Sequence, residues 1–405
     1  MNEVVITGIG LITPAGIGTA ATWNGLLAGL STAATDPELA GLPTDFCCRV
    51  PGFDAGALLG RRLAGRLDRF TVMAVLAARE AVAAAGLVPA EWPARRVGVV
   101  VGTGTAAMAS YLTEVPKVAE GRHRRVDPFS VPRTVPNMSA GEVGLDLGAR
   151  GPNLVTSTAC ASGTTAIGTA LLMLRAGMCD VVVAGGAESV CSRIPAATFG
   201  QMRALSVRRA EPAAASRPFD ADRDGFVLGE GAAMLVLERV EHARARGAQA
   251  QARLAGYGAG CDAHHFIAPH PDGRGAAEAV RAALADADLV PSDIDHVNTH
   301  GTSTALNDIA EFRALHSVFG WPPPVTANKS VLGHAIGGAG AIEAACTVLT
   351  LRHQLIPPTA NQDRQDPDID LDVVSKVPRP HRMRAALTTS YGFGGQNAVL
   401  AFTTP

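Results

Sequence analysis

Three stretches of this chain have no polar face: Val4-Val5-Ile6-Thr7-Gly8-Ile9, Val97-Gly98-Val99-Val100-Val101 and Val181-Val182-Val183-Ala184. A strand that is apolar on both sides has to be covered on both sides, which places it inside a sheet with helices above and below. Ala-rich segments between these runs supply the helices. Apolar strands separated by helices predict an α/β fold with parallel pairing. With 47% hydrophobic and 18% charged residues in 405, there is ample material for large buried cores.

The pattern repeats. Gly225-Phe226-Val227-Leu228-Gly229-Glu230-Gly231 feeds the apolar run Met234-Leu235-Val236-Leu237. Gly392-Phe393-Gly394-Gly395-Gln396 feeds Ala398-Val399-Leu400 in the same way. Each glycine turn and strand closes one half of the chain, so an internal duplication joined near 248–253 is expected. We read residues 1–250 as one half and 251–405 as the other. Between the strands, 60–85 reads as one long helix with Arg62, Arg66 and Arg69 on a single face. A polar, proline-punctuated excursion follows at 113–136, and then a helix from Ser139.

Chemistry concentrates where strand-like runs end. Val155-Thr156-Ser157-Thr158-Ala159-Cys160-Ala161-Ser162-Gly163 reads as a buried strand, a turn of small residues and a helix start. Cys160 then sits at a helix N-terminus, where the dipole and free N–H groups favour thiolate. Asn298-Thr299-His300-Gly301-Thr302-Ser303-Thr304 and Asn328-Lys329-Ser330-Val331-Leu332-Gly333-His334 each end an apolar approach in a histidine beside small residues. Catalytic groups stand at such strand ends.

Together, the Cys160 turn, the His300-Gly-Thr-Ser-Thr run, the Lys329-Ser-x-x-Gly-His334 run and the closing Gly392-Phe393-Gly394-Gly395 resemble the β-ketoacyl-(acyl carrier protein) synthases of the thiolase superfamily, in the branch with a Cys-His-His triad. The resemblance spans essentially the whole chain. It implies a five-layered αβαβα thiolase fold, with the nucleophilic cysteine in the first half and both histidines in the second. It further implies decarboxylative Claisen condensation of a malonyl thioester with an acyl chain held on Cys160.

Several residue roles come with it. Phe393 would give an oxyanion-hole N–H and gate the pocket, on a loop freed by Gly392, Gly394 and Gly395. Lys329 would adjust charge around His334, with Glu343 as its buried partner. Thr302 and Thr304 would hold the pantetheine arm, and Phe199, Met202 and Thr105 would meet substrate. Asp262 and His265 resemble a second gating loop, and Arg62, Arg66, Arg124, Arg125 and Arg203 resemble a basic rim that docks acyl carrier protein. The implied enzyme needs no cofactor beyond the carrier's phosphopantetheine arm, and pairs either with itself or with a chain-length-factor subunit. The proline-rich Pro132-Arg133-Thr134-Val135-Pro136 departs from the fatty-acid pattern and points toward a polyketide system.

Other readings are weaker. Gly102-Thr103-Gly104-Thr105-Ala106-Ala107 fits a dinucleotide loop but lacks the acidic residue that should follow. Asp220-Ala221-Asp222-Arg223-Asp224-Gly225 opens like a calcium loop yet has Gly231 at the twelfth position. There is no CxxC pair for zinc, and adjacent His264 and His265 read as loop residues. Seven scattered cysteines argue against a disulfide framework. A net charge of −2 gives no global pull toward nucleic acid, and no apolar run is long enough to span a membrane. A cytoplasmic enzyme is expected. A non-elongating partner subunit would be expected to lack the cysteine, and a non-decarboxylating thiolase would resemble Cys-His-Cys.

Overall fold

The computed structural model describes residues 3–405. Apart from the two-residue strand Gly16–Ile17, which pairs only with β1, ten strands run through its main sheet: β1 (Val4–Thr13), β2 (Val97–Gly102), β3 (Asn153–Thr156), β4 (Val181–Ser189), β5 (Glu230–Arg239), β6 (Ala252–Cys261), β7 (His296–Asn298), β8 (Val325–Thr326), β9 (Ala385–Gly392) and β10 (Gln396–Thr403). In space they lie in the order β8-β7-β9-β10-β6-β1-β5-β4-β2-β3. Numbered within its own set of five, each half has the order 3-2-4-5-1, and the two first strands meet. That seam is short: Val4, Val5 and Ile6 pair antiparallel with Leu254, Arg253 and Ala252.

Eight helices position the layers: α1 (Arg69–Ala84), α2 (Asn137–Leu147), α3 (Ser162–Arg175), α4 (Arg193–Gln201), α5 (Arg274–Asp286), α6 (Ala305–Phe319), α7 (Lys329–Leu332) and α8 (Ile336–His353). Alternate residues of each strand enter different cores, as a period of two requires. Val97, Val99 and Val101 of β2 pack with Phe70 and Ala77 of α1 and Val143 of α2. Val100, from the opposite face of β2, packs with Ile167 and Leu171 of α3 and Ala341 and Ala345 of α8. Val297, Leu387 and Val399 of the second half pack with Val280 of α5 and Leu315 of α6. α3 and α8 are therefore the middle layer of five. α8 is buried on every side through Leu351, which explains why apolar and small residues surround it, with Glu343 the one charged residue in that span.

The abundance of Gly and Ala has a geometric cause. A Cβ on Gly10 of β1 would lie 1.9 Å from the Ala77 carbonyl oxygen of α1, and one on Gly258 of β6 would lie 2.1 Å from the Ala279 oxygen of α5. In both halves an alanine-rich helix rests directly on a glycine of the first strand.

Three expectations change. Parallel pairing holds for β2 with β3 and β4, and for β7 with β8 and β9. β1, β5, β6 and β10 pair antiparallel despite being as apolar, because two-sided burial reports helix cover and not strand direction. β3 is the edge of the sheet, bonded only to β2, with Asn153 and Leu154 exposed. The presumed long helix of 60–85 is broken into Arg61–Ala64 and α1, with a separate short helix, Ala55–Leu59, before it. The chain turns at Gly65 and Arg66, and Asp68 starts α1 anew by accepting the Phe70 N–H. Arg62, Arg66 and Arg69 consequently share no face. Arg66 pairs with Glu142, and Arg69 with buried Glu230.

Gly10→Val should cost about 3 kcal/mol, the upper end for overpacking, because backbone and not a flexible side chain blocks the new atoms. Gly200→Ala, where nothing lies within 4 Å, should be near neutral. Denaturant midpoints of the two variants check the contrast.

Candidate active site

Cys160 lies in a single 3₁₀ turn, Ala159–Ala161, between β3 and α3. Ala159 takes a φ of 50°, and Ser162 ties the turn by accepting the Thr158 N–H at 2.9 Å and donating to the Ala159 carbonyl at 2.6 Å. The thiol faces inward and is 6% exposed. His334 follows α7 and enters from the second half, with Nε2 3.1 Å from Cys160 Sγ. Its backbone is held on both sides, N–H to the Val227 oxygen at 2.7 Å and oxygen to the Gly229 N–H at 3.0 Å. The Phe393 N–H also reaches the Cys160 sulfur.

His300 leaves β7 in a tight turn whose N–H groups are both taken by Glu311 of α6. The His300 N–H donates to Oε1 and the Gly301 N–H to Oε2, each at 2.8 Å. The His300 ring stands at 85° to that of His334, 5.5 Å between centroids. Lys329 Nζ lies 3.2 Å from His300 Nδ1, 2.6 Å from the His300 carbonyl oxygen and 2.5 Å from Glu343 Oε1. Lys329 thus bonds His300, because α7 turns the lysine back toward the preceding strand while Gly333, at φ 67°, swings His334 the other way, and it acts on His334 through its charge, as expected.

Burial dominates the electrostatics. It holds both histidines well below their usual pKa, and the Lys329 charge lowers them further. Both are neutral at pH 7. Since a lysine ammonium only donates, His300 accepts at Nδ1 and carries its proton on Nε2. Burial likewise pushes the Glu343 and Glu311 carboxyls up to about 7, against the opposing pull of Lys329 on the first and of backbone N–H groups on the second. The Cys160 thiol is pushed up to about 12, again by burial, with Lys329 and the Phe393 N–H opposing. Burial thus works against the thiolate that the helix terminus was expected to favour.

A cavity of about 280 Å³ runs from these groups to the surface. Thr302 and Thr304 line it with their hydroxyls 2.9 Å apart. Phe199, Met202, Asp262, Gly392, Phe393 and Gly395 line it too, with Arg203 at its exposed mouth. Phe199 packs edge-on against Phe226 and tilted against Phe393. Asp262 accepts from Asn397 at 2.7 Å, and its N–H bonds the Gly395 oxygen. Gly394, at φ 81°, donates to the Phe266 oxygen, so the two expected gating segments are tied together.

Other expected residues fall outside the cavity. Thr105 turns its hydroxyl onto Glu188, 2.9 Å away, since a buried carboxylate needs donors more than the cavity needs a wall. His265 stays on the exposed loop, where Nδ1 accepts the Ile267 and Ala268 N–H groups. Arg124 and Arg125 lie on an exposed turn. Glu311, Glu188 and Phe226 went unnoticed in the sequence. Glu311 had one signal, an acidic side chain on the helix opened by the Thr304 turn. Among the described residues, the one cluster of nitrogen, sulfur and carboxylate atoms close enough to share a metal ion is Cys160, His300 and His334. The Lys329 ammonium beside it opposes a second cation.

The N-terminal domain model of the β-ketoacyl synthases matches residues 1–243 and the C-terminal domain model matches 251–363. A 3-oxoacyl-[acyl-carrier-protein] synthase 2 from Synechocystis sp. is 41% identical over 99% of this chain and 98% of its own. Among solved structures, the ishigamide ketosynthase/chain length factor superposes with a TM-score of 0.94 at 35% identity, covering 100% of this chain and 99% of that one. A type II polyketide ketosynthase, in complex with its acyl-carrier protein and bound to a hexaketide, gives 0.92 at 31% identity, covering 100% of both chains.

Alkylation of Cys160 by iodoacetamide should accelerate about tenfold per pH unit from 7 to 9 without levelling, since the reactive thiolate forms only above that range. A plateau by pH 8 in a stopped-time labelling series would restore the helix-activated thiolate.

Proposed function

The chain belongs to the β-ketoacyl synthase family, and from that premise we propose that it elongates acyl chains on an acyl carrier protein by decarboxylative Claisen condensation. The carrying observation is the convergence of three buried groups: Cys160 Sγ 3.1 Å from His334 Nε2, and His300 with its Nδ1 occupied by Lys329.

In the first step Cys160 sulfur attacks the carbonyl of an acyl pantetheine thioester. The thiol proton ends on the departing pantetheine thiolate, while the Phe393 and Cys160 N–H groups hold the oxyanion. A malonyl thioester next loses carbon dioxide, leaving an enolate whose oxygen takes hydrogen bonds from Nε2–H of His300 and His334. These bonds strengthen only as charge develops, which is where they lower the barrier. The enolate carbon then attacks the Cys160 thioester; a C–C bond forms, the C–S bond breaks, and the departing thiolate takes a proton from solvent. No redox cofactor or metal enters this balance, so we propose none.

The relatives come from fatty acid and polyketide systems, and we place this enzyme within that pair of pathways. Its second partner is another ketosynthase-fold subunit, either a second copy or a chain length factor. Supporting this, edge strand β3 leaves one side unbonded, and Leu154, Phe129 and Val131 are exposed apolar side chains. No helix among the described residues is long and apolar enough to cross a membrane. We propose a cytoplasmic enzyme, because its substrates arrive on a soluble carrier.

Cys160→Ala should abolish acyl-enzyme on intact-mass spectrometry with acyl-loaded carrier protein; label surviving on Cys179 or Cys191 defeats the reading. His300→Ala should slow carbon dioxide release by about 100- to 1,000-fold, the range for losing one oxyanion donor, while self-acylation falls far less. Equal losses would assign His300 to the thiol.

Arg203 stands at the cavity mouth, whereas Arg66 is engaged by Glu142. Arg203→Glu should raise KM for carrier-bound substrate about three- to tenfold at low salt, through lost steering. Turnover of a small pantetheine thioester should not change. An equal loss on both substrates would show damage to the pocket instead of to docking.

A further inference from the structure

Glu188, at the end of β4, is wholly buried and touches no cation. Five neutral donors hold it. Oε2 accepts the N–H groups of Gly104 at 2.6 Å, Thr105 at 3.0 Å and Gly337 at 3.3 Å; Oε1 accepts the hydroxyls of Thr105 at 2.9 Å and Thr103 at 3.2 Å. Its three N–H donors come from two different walls. Gly104 and Thr105 belong to the loop leaving β2, and Gly337 to the first turn of α8.

Between those walls nothing else fits. A Cβ on Gly337 would lie 2.1 Å from the Gly104 nitrogen, so the loop and the helix meet backbone to backbone. Ile336, one residue before Gly337, is held at a φ of 40°, a strained value for a β-branched side chain. It lines the cavity beside Cys160, and a Cβ on Gly104 would come within 3.0 Å of its Cγ2. The bonds to Glu188 are thus what keep the loop, the helix start and the Ile336 side chain in one arrangement next to the nucleophile.

We propose that Glu188 is a positioning residue: by clamping Gly104 and Thr105 to Gly337 it fixes Ile336 against Cys160, and so sets which acyl chains the thiol accepts. This rests on the acyl-transfer reading above, and deepens it by assigning the selectivity wall. A second consequence is electrostatic. Glu188 is a negative charge close enough to disfavour ionisation of Cys160.

Glu188→Gln in the full-length protein tests both. A series of N-alkylmaleimides of rising chain length probes the wall at Cys160 without requiring turnover. The ratio of long-chain to short-chain labelling should change about tenfold in the variant, since a shift of about 1 Å near a reacting centre is worth up to about 100-fold. Iodoacetamide labelling should also reach a given rate at a lower pH, as expected for removing a like charge. A residue that merely stabilises the fold would move neither. A folded variant with an unchanged chain-length ratio overturns the proposal, whatever its pH profile. If Glu188→Gln does not fold, Thr105→Ala removes one donor to the clamp, and an unaltered maleimide ratio there overturns it equally. Absence of acyl transfer in the unmodified enzyme would instead defeat the acyl-transfer reading, while the maleimide ratio still judges the clamp.

Discussion

Cys160 and His334 are 174 residues apart in sequence and come from opposite halves, yet their reactive atoms lie 3.1 Å apart. The contact that makes this possible is between α3 and α8. A Cβ on Gly163 of α3 would sit 2.6 Å from the Ala341 nitrogen, and one on Gly340 of α8 would sit 2.1 Å from Thr164 Oγ1. Helices this close admit no side chain between them at those points. Cys160 precedes α3 by two residues and His334 precedes α8 by two, so the helix spacing is transmitted almost directly to the sulfur and the imidazole. Cys160 cannot be moved without moving the middle layer. The same argument explains why a chain of this size has few aromatics: layers stacked through glycine and alanine leave little room for them.

The second half contributes the polar machinery, and it does so inside a core. Lys329 and Glu343 are both about 2% exposed, and a buried pair of this kind is weak evidence for stability in itself. Its effect on His300 is clearer. The ammonium occupies Nδ1 and the carbonyl of the same residue, which fixes the ring and its tautomer together. Glu311 fixes the backbone beneath that ring by taking two consecutive N–H groups. One histidine is therefore held by a cation from one side and an anion from the other, and neither charge lies in the cavity.

Much of this was legible in the sequence. Cys160, His300 and His334 stood out because each ends an apolar run beside small residues, and the glycine turns before β5 and β10 showed the repeat that the strand order displays. What was not legible depends on facing. Two-sided apolar strands look alike whether parallel or antiparallel, and β3 looks like them although only one edge of it is bonded. Lys329 is nearer to His334 in sequence but turned to His300 in space, because a single residue in the left-handed region, Gly333, reverses the direction of the chain. The spacing of Arg62, Arg66 and Arg69 fits a helix face, yet the turn at Gly65 and Arg66 and the Asp68 cap cut the helix. Thr105 and Glu188 show the same limit: a threonine placed by motif in a pocket was claimed instead by a carboxylate 83 residues away.

The surroundings of Cys160 also explain why a nucleophile can be kept protonated without loss. Burial is the chief influence against its ionisation; Lys329 and the Phe393 N–H oppose it, and Glu188 and Glu343 add smaller contributions on the side of burial. Negative charge on the sulfur is thus costly in the resting enzyme. Negative charge on a substrate oxygen is a different matter, because the Phe393 N–H and the two imidazole N–H groups converge on the cavity in front of the sulfur. A site of this design disfavours the anion that would react with any electrophile and favours the anions that form only along the condensation. Protection of the thiol and acceleration of the reaction then have one physical origin, the burial of the sulfur beside donors already in place.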